Sequence, residues 1–332
     1  MSQQTQSNAL DASRAGFYKS LLRKMLLIRR FEERAAEAYA LGSIGGFCHL
    51  YIGQEAVAVG AITAMQDDDV LMASYRDHAH ALTRGISSRE VMAELFGKVT
   101  GASRGKGGSM HIFDSSKGFL GGHAIVGGHI PLATGAAFGF KYRESGQVCV
   151  CFFGEAAVNN GAFHEALNMA AIWKLPVVYI CENNRYGMGT ALERASARYD
   201  VSQRGSSYEM PSEWVDGMDV LAMLHATERA VEQARDESIP TLLEARTYRF
   251  MGHSMSDPIH GHYRTQEEVE ENKKRDPLLI FPKLLQDEGL MTDAEFEQMS
   301  EEVKDELDDA VKFAEESESP SPEELETDVY VD

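Results

Sequence analysis

VCVCFFGEAAVNNGAFHEALNMAAIWKLPVVYICENNRYG, residues 148–187, contains the strongest indication of the fold in this chain. Two short apolar runs, at 148–153 and 176–181, flank a segment at 162–173 whose apolar side chains recur at helical spacing. A strand, a helix and a strand of these lengths form a βαβ unit, and its right-handed crossover makes the two strands parallel. The sequence therefore predicts an α/β fold built around a parallel sheet.

Polar residues follow both predicted strands of this unit. Glu155 comes shortly after the first strand, and Asn184 shortly after the second. Because α/β sheets bind ligands at the carboxyl ends of their strands, we expect both side chains at one edge of the sheet. A carboxylate, an amide oxygen and a turn carbonyl there are hard ligands suited to Mg²⁺ that carries a phosphate ester. We interpret the pair as a ligand site rather than as caps of strand ends.

The composition of the chain limits its class. Its 332 residues are 43% hydrophobic and 25% charged, which allows a full globular core. The formal charge of −20 argues against nucleic acid or an anionic membrane as a partner. No apolar run approaches the roughly 20 residues of a membrane span, and the polar N-terminus lacks a signal pattern, so we expect a cytoplasmic protein. The four cysteines lack CxxC spacing and are interpreted as reduced core thiols: Cys48, Cys149, Cys151 and Cys181.

Periodicity places further elements along the chain. Helices are predicted at residues 14–41, 54–65, 131–142 and 219–235, and strands at 70–73 and 241–245. Segments with little periodicity, predicted as loops, are residues 97–129, 194–211 and 249–263. A capping-box pattern at 292–295 begins a last helix before an acidic tail. We therefore divide the chain into an α/β domain at 1–290 and a C-terminal helix and tail at 291–332.

Six segments, in one order, carry a resemblance to a known family. They are RRFEE at 29–33, GGFCHLYIGQEA at 45–56, SYRDH at 74–78, GKGGSMH at 105–111, CENNRYGMGT at 181–190 and GHSMSDP at 252–258. Together they resemble the α subunit of the E1 component of 2-oxo acid dehydrogenase complexes, pyruvate dehydrogenase type. The acid–asparagine pair itself is similar to the thiamine diphosphate motif GDG…NN. The resemblance implies the thiamine diphosphate-binding fold, a mostly parallel sheet with helices on both faces.

The resemblance also implies a cofactor site that holds thiamine diphosphate and Mg²⁺. The Mg²⁺ ligands would be the Glu155 carboxylate, the Asn184 side-chain oxygen and the Tyr186 carbonyl. The residues that would contact thiamine diphosphate are Tyr75, Arg76, Ala124, Val126, Ala156, Ala157, Asn184 and His253. An arginine fork at position 76 suits phosphate oxygens.

Two histidines, His49 and His253, match family residues that line the channel to the reactive carbon of the cofactor. Histidine can move protons near neutral pH, so we expect both to be catalytic. Ser254 matches a serine that is phosphorylated in animal relatives, where added negative charge would oppose an anionic cofactor and substrate.

Three residues depart from the family pattern. Glu155 stands in place of Asp, Ala156 in place of the second Gly of the motif, and Met251 in place of a basic or polar residue. If position 156 requires a positive φ, alanine there would cost on the order of 1 kcal/mol. We therefore expect cofactor affinity that is weakened and not lost.

The resemblance implies oxidative decarboxylation of pyruvate and transfer of the acetyl group to the lipoyl group of a separate E2 acyltransferase. An E1 β subunit would complete the active site in an α₂β₂ heterotetramer, and the chain would be inactive without it. Two alternatives remain open: an acetoin or branched-chain 2-oxo acid type of E1 α, and a weakly active or regulatory paralogue. A nicotinamide-dependent dehydrogenase is excluded because no predicted strand is followed by GxGxxG.

Overall fold

A parallel sheet of six strands lies at the centre of the computed structural model, which describes residues 10–327 and 329. In chain order, the strands of this sheet and of a separate hairpin are β1 (Val70–Ser74), β2 (Phe119–His123), β3 (Cys149–Gly154), β4 (Val177–Asn183), β5 (Tyr186–Gly187), β6 (Thr190–Ala191), β7 (Ser212–Asp216) and β8 (Thr241–Arg246). The sheet has the spatial order β2-β1-β3-β4-β8-β7, and all its neighbouring strands are parallel. Strands β5 and β6 pair separately as a short antiparallel hairpin.

Helices surround the sheet. They are α1 (Ala15–Ala40), α2 (Glu55–Thr63), α3 (His78–Arg84), α4 (Ser88–Leu95), α5 (His129–Arg143), α6 (Gly161–Trp173), α7 (Leu192–Ala195), α8 (Val220–Glu237), α9 (Gln266–Lys273), α10 (Pro277–Asp287) and α11 (Asp293–Glu316). Short 3₁₀ helices occupy Ala12–Arg14, Gly108–Met110, Ser115–Lys117, Glu155–Asn159, Val201–Tyr208 and Pro322–Glu326. No helix within the described ranges is both long enough and apolar enough to cross a membrane.

The two faces of the sheet pack into separate cores. Val150 and Phe152 of β3 join a core with α1, α2, α8 and α11, whereas Cys149 and Cys151 face a second core with α5 and α6. Because both faces are buried, the central strands are continuous apolar runs rather than alternating ones. This confirms the predicted α/β class with helices on both faces of a parallel sheet. The four cysteines are all buried and unpaired within the described part of the chain.

The βαβ unit predicted from residues 148–187 is confirmed. Strands β3 and β4 pair in parallel along their length, with Gly154 opposite Glu182 at the end of the ladder, and α6 connects them. The predicted loop at 97–129 is wrong in part, because it contains the edge strand β2. Gly121 and Gly122 interrupt the apolar pattern of β2, and Gly121 has a φ of 101°. The exposed edge strand β7 lies beyond the predicted loop at 194–211, and no strand was predicted there.

The last long helix, α11, begins at the predicted capping box. The Thr292 hydroxyl accepts a hydrogen bond from the Glu295 amide, and the Glu295 carboxylate accepts one from the Thr292 amide. Val303 and Leu307 of this helix are buried in the same core as α1 and α4. The division of the chain at residue 290 stays a prediction.

Candidate functional site

A cavity of about 220 Å³ opens at the carboxyl edge of the sheet, where β1, β3 and β4 end. Of the residues predicted to form the cofactor site, those that line it are Tyr75, Arg76, Val126, Glu155, Ala156, Ala157, Asn184, Tyr186 and His253. Within the described residues, Ala124 is not part of this lining, and His49 lies behind it against Tyr75 and His253. The parallel strands thus bring together side chains that are far apart in the sequence.

Glu155 is a buried carboxylate with one free oxygen. Its Oε2 accepts a hydrogen bond from the backbone N–H of Asn184 at 3.4 Å, whereas Oε1 has no hydrogen-bond partner among residues 10–327 and 329. Burial raises the pKa of this carboxyl to about 7, because the charged form is poorly solvated. A buried polar atom without a partner marks a place where a proton, a cation or another ligand is expected.

The two asparagines at the end of β4 point in different directions. Asn183 donates from Nδ2 to Glu244 Oε1 at 2.8 Å and is turned away from the cavity. Asn184 lines the cavity and donates from Nδ2 to Gln54 Oε1 at 3.1 Å. Its Oδ1 accepts from the Tyr186 amide at 3.3 Å and retains a second lone pair for a ligand.

Ala156 does not carry the backbone strain that its replacement of glycine suggested. Among the described non-glycine residues with positive φ, Ala156 does not occur, so the expected cost does not apply. The close approach is instead at Gly187, where an added Cβ would lie 2.7 Å from the Ala156 Cβ. The alanine methyl therefore occupies space that a glycine on β5 leaves open.

Two buried guanidinium groups form the basic side of the cavity. Arg76 donates to the Leu50 carbonyl at 2.5 Å and to the His253 carbonyl at 2.9 Å. Arg249, only 1% exposed, donates to the Tyr263 hydroxyl at 2.8 Å, and its Nε lacks a partner in the described part of the chain. Burial, reinforced by the nearby charge of Arg76, lowers the pKa of Arg249 to about 10. An anion between these groups would relieve their repulsion.

The two histidines expected to be catalytic lie side by side. The ring centroids of His49 and His253 are 5.0 Å apart, and the Tyr75 ring lies 4.6 Å from His49. Burial and then the charge of Arg76 lower the pKa of His49 to about 2 and that of His253 to about 4. Both rings are therefore neutral near pH 7 and can donate from one nitrogen and accept at the other.

Comparison with known proteins identifies the family. The chain matches the family described as dehydrogenase E1 component over residues 23–323. It belongs to the dehydrogenase E1 component family. Among its relatives are proteins named pyruvate dehydrogenase E1 component subunit alpha from Rickettsia felis, Rhizobium meliloti and Zymomonas mobilis. They are 48%, 51% and 47% identical, over 94%, 93% and 93% of this chain and 95%, 88% and 87% of their own lengths.

Membership of the dehydrogenase E1 family implies the use of thiamine diphosphate, and the cavity can be tested against that group. The lining of the cavity combines the free oxygen of Glu155, beside Asn184, with the guanidinium groups of Arg76 and Arg249. Oxygen ligands next to buried cations fit a phosphate ester that is carried on a metal ion. No group of three or more His, Cys, Asp or Glu residues that could hold a metal occurs at 10–327 or 329. The predicted ligand set contains a single carboxylate, so it would not form such a group.

Other features of this E1 chain concern residues outside the predicted set. Arg249, Gln54 and Glu182 line the cavity and were missed. Arg249 falls in a segment predicted as a loop, and the only sequence signal for it was its position just before the GHSMSDP segment.

Ser254 is buried, and its hydroxyl donates to Asp257 Oδ2 at 2.8 Å, so modification of Ser254 requires this turn to open. Phosphorylation stays a prediction.

Proposed function

We propose that this chain is the α subunit of a pyruvate dehydrogenase E1 component. With an E1 β subunit it catalyses the thiamine diphosphate-dependent oxidative decarboxylation of pyruvate and passes the acetyl group to the lipoyl group of an E2 acyltransferase. The names of the three relatives support pyruvate, rather than acetoin or a branched-chain 2-oxo acid, as the substrate. We also propose an α₂β₂ assembly in the cytoplasm.

One observation carries this proposal: a single cavity joins a free buried carboxylate oxygen to two buried guanidinium groups. The Glu155 carboxylate, the Asn184 side-chain oxygen and the Tyr186 carbonyl would hold Mg²⁺, and Arg76 and Arg249 would hold the diphosphate. Bound thiamine diphosphate supplies an electron sink for the electrons that remain when pyruvate loses CO₂. The replacement of Asp by Glu preserves the charge and the oxygen type of this ligand.

The two neutral histidines act at the substrate end of the site. His253 lines the cavity, and the ring of His49 packs against the rings of His253 and Tyr75. A neutral imidazole can give a proton to an oxygen of the substrate or take one from it without separating charge in a buried place. Burial, and then the positive charges of Arg76 and Arg249, lower the pKa values of both rings and keep them unprotonated near pH 7.

The activity is tested by coexpressing the chain with an E1 β subunit encoded in the same genome. We expect decarboxylation of pyruvate that requires both subunits, thiamine diphosphate and Mg²⁺, at least 10-fold faster than decarboxylation of 2-oxoisovalerate or cleavage of acetoin. Turnover by the α chain alone, or a preference for either competitor, would contradict the proposal.

Binding of the cofactor is tested with Glu155→Gln in the same assembly. The amide cannot supply the negative charge that Mg²⁺ requires, so we expect at least 10-fold weaker binding of Mg²⁺ and thiamine diphosphate in a calorimetric titration. Glu297→Gln, which alters an exposed glutamate of α11, is the matched control and should leave binding unchanged. Equal affinities of the two variants for Mg²⁺ and thiamine diphosphate would show that Glu155 is not a ligand of the metal.

A further inference from the structure

Three of the sequence segments that carry the family resemblance meet at one buried cluster behind the cavity. Glu32 of α1 and His78 of α3 are fully buried, and Ser109 in the glycine-rich segment is 4% exposed. Glu32 Oε2 lies 2.9 Å from His78 Nδ1, and His78 Nε2 lies 2.8 Å from Ser109 Oγ. None of these three residues belongs to the described lining of the cavity. Their role is therefore not direct contact with a ligand there.

The cluster holds the backbone around His49. The His49 amide donates to Ser109 Oγ at 3.4 Å, and the Tyr51 amide donates to Glu32 Oε1 at 2.9 Å. Between them, the Leu50 carbonyl accepts from Arg76 at 2.5 Å. Three consecutive residues are thus fixed, two of them by groups of the cluster.

The charges of the cluster favour this arrangement. Burial alone works against a charged ring, but the Glu32 carboxylate outweighs it and raises the pKa of His78. A protonated His78 donates from both nitrogens, to Glu32 on one side and to Ser109 on the other. Because a buried ion pair costs desolvation and seldom adds stability, its use here is better explained by the geometry that it fixes.

The segment that carries Ser109 is itself held in place. The buried Glu94 carboxylate accepts hydrogen bonds from the amides of Ser103, Gly105, Gly107 and Gly108, at 2.8 to 3.0 Å. A Cβ at Gly107 would lie 2.0 Å from the His111 carbonyl oxygen, so the turn into the 3₁₀ helix at Gly108–Met110 requires glycine. Ser109 therefore reaches the cluster from a rigid support.

We propose that Glu32, His78 and Ser109 are positioning residues that fix the main chain of His49, and thereby the place of its imidazole beside Tyr75 and His253. The proposal rests on the function proposed above, because His49 is expected to act in that reaction. It assigns a role to the RRFEE and GKGGSMH segments, which the cavity does not use.

The kinetic test is a double-mutant cycle in the assembled α and β subunits. Glu32→Gln should lower kcat for pyruvate at least 10-fold, with the affinity for the cofactor changed less than threefold. In a His49→Ala background, the same substitution should lower the residual kcat less than twofold. Ser109→Ala, which keeps the ion pair, should show a smaller loss with the same dependence on His49. Equal losses in both backgrounds would overturn the proposal.

The matched control is Asp69→Asn. Asp69 is also fully buried, and it pairs with Arg235 at 2.7 Å and accepts from the Val148 amide at 2.8 Å, but it lies at the opposite end of the sheet. This variant should lose stability while kcat changes less than twofold. If Asp69→Asn lowers kcat as much as Glu32→Gln, the effect is one of general stability and the proposal is wrong.

A second measurement does not depend on turnover. Reaction of the free α chain with diethyl pyrocarbonate, followed by mass spectrometry, should modify His49 at least fivefold faster in Glu32→Gln than in the wild type. The exposed His225 of α8 serves as the internal reference. An unchanged rate at His49 would overturn the positioning role even if pyruvate proves not to be the substrate. Absence of pyruvate turnover by the wild-type assembly would contradict only the proposed function.

Discussion

Ala156 and Gly187 approach each other more closely than two residues with side chains could. Ala156 follows the predicted metal ligand Glu155, and Gly187 follows Tyr186, so their contact sets the distance between the two sides of the cavity. The φ of Gly187 is not positive, so its backbone conformation does not require glycine. The close contact with Ala156 is what requires glycine there. At the scale of single residues, the departure from the family motif at 156 is therefore a packing feature and not a strained turn.

We expect Gly187→Ala to destabilise the protein, because the new methyl would meet the Ala156 Cβ at 2.7 Å and neither group can rotate away. Overpacking of this kind costs about 1–3 kcal/mol, measured as the free energy of unfolding in urea. The double variant Ala156→Gly, Gly187→Ala should recover most of the loss. Gly16→Ala, where a Cβ meets nothing within 4 Å, is the control. A double variant as unstable as the single one would show that the clash lies elsewhere.

At the scale of elements, α11 joins the rest of the fold through apolar packing and charge pairs together. Leu307 is buried against α1 and α4, while Arg89 of α4 pairs with Asp309 at 2.5 Å on the exposed surface. Exposed ion pairs contribute little, because water already solvates both charges. The attachment of the helix therefore depends on its apolar stripe.

Leu307→Ala should lower the free energy of unfolding by about 2–5 kcal/mol, because it leaves a cavity in the core. Arg89→Ala should cost clearly less than Leu307→Ala, because water solvates both charges of the exposed pair. Chemical denaturation of both variants provides the comparison. If the loss of Arg89 costs more than the loss of Leu307, charge pairing and not packing holds α11 in place.

The elements that were predicted and those that were missed differ in how regularly they are buried. Strands β3 and β4 and helix α6 are buried on regular faces, so their apolar periodicity is visible in the sequence. Edge strands β2 and β7 bury less, and their glycines and exposed polar residues leave no pattern. Arg249 belongs to the site through tertiary packing alone, and the contact of Ala156 with Gly187 joins the 3₁₀ helix at Glu155–Asn159 to strand β5. Local sequence does not contain that information.

At the scale of the whole molecule, buried neutral histidines make folding sensitive to acid. Burial lowers the pKa of His129 to about 4, and His129 donates from Nε2 to the Phe152 carbonyl at 2.8 Å. In the unfolded chain a histidine takes up its proton near pH 6.5. At this residue the unfolded state therefore binds more protons between these values, so the contribution of His129 to stability is full above about pH 6.5 and falls as the pH drops toward 4.

We expect the contribution of His129 to the free energy of unfolding, on the order of 3 kcal/mol, to be lost between pH 7 and pH 4. His129→Gln, which can keep the hydrogen bond to Phe152, should flatten this dependence. His225→Gln, at an exposed position on α8, should leave it unchanged. Urea titrations at several pH values measure the slope. The same slope in His129→Gln and the wild type would exclude His129 as a source.

The free oxygen of Glu155 has a consequence for how long the chain survives in a cell. An unfolded chain offers no such pocket, so whatever ligand satisfies this oxygen binds the folded form alone. Ligand at 100 times its Kd would shift the folding equilibrium by about 2.7 kcal/mol. When the ligand is scarce, more of the chain is unfolded at any moment and open to proteases. The supply of cofactor would then govern the amount of the protein as well as its activity.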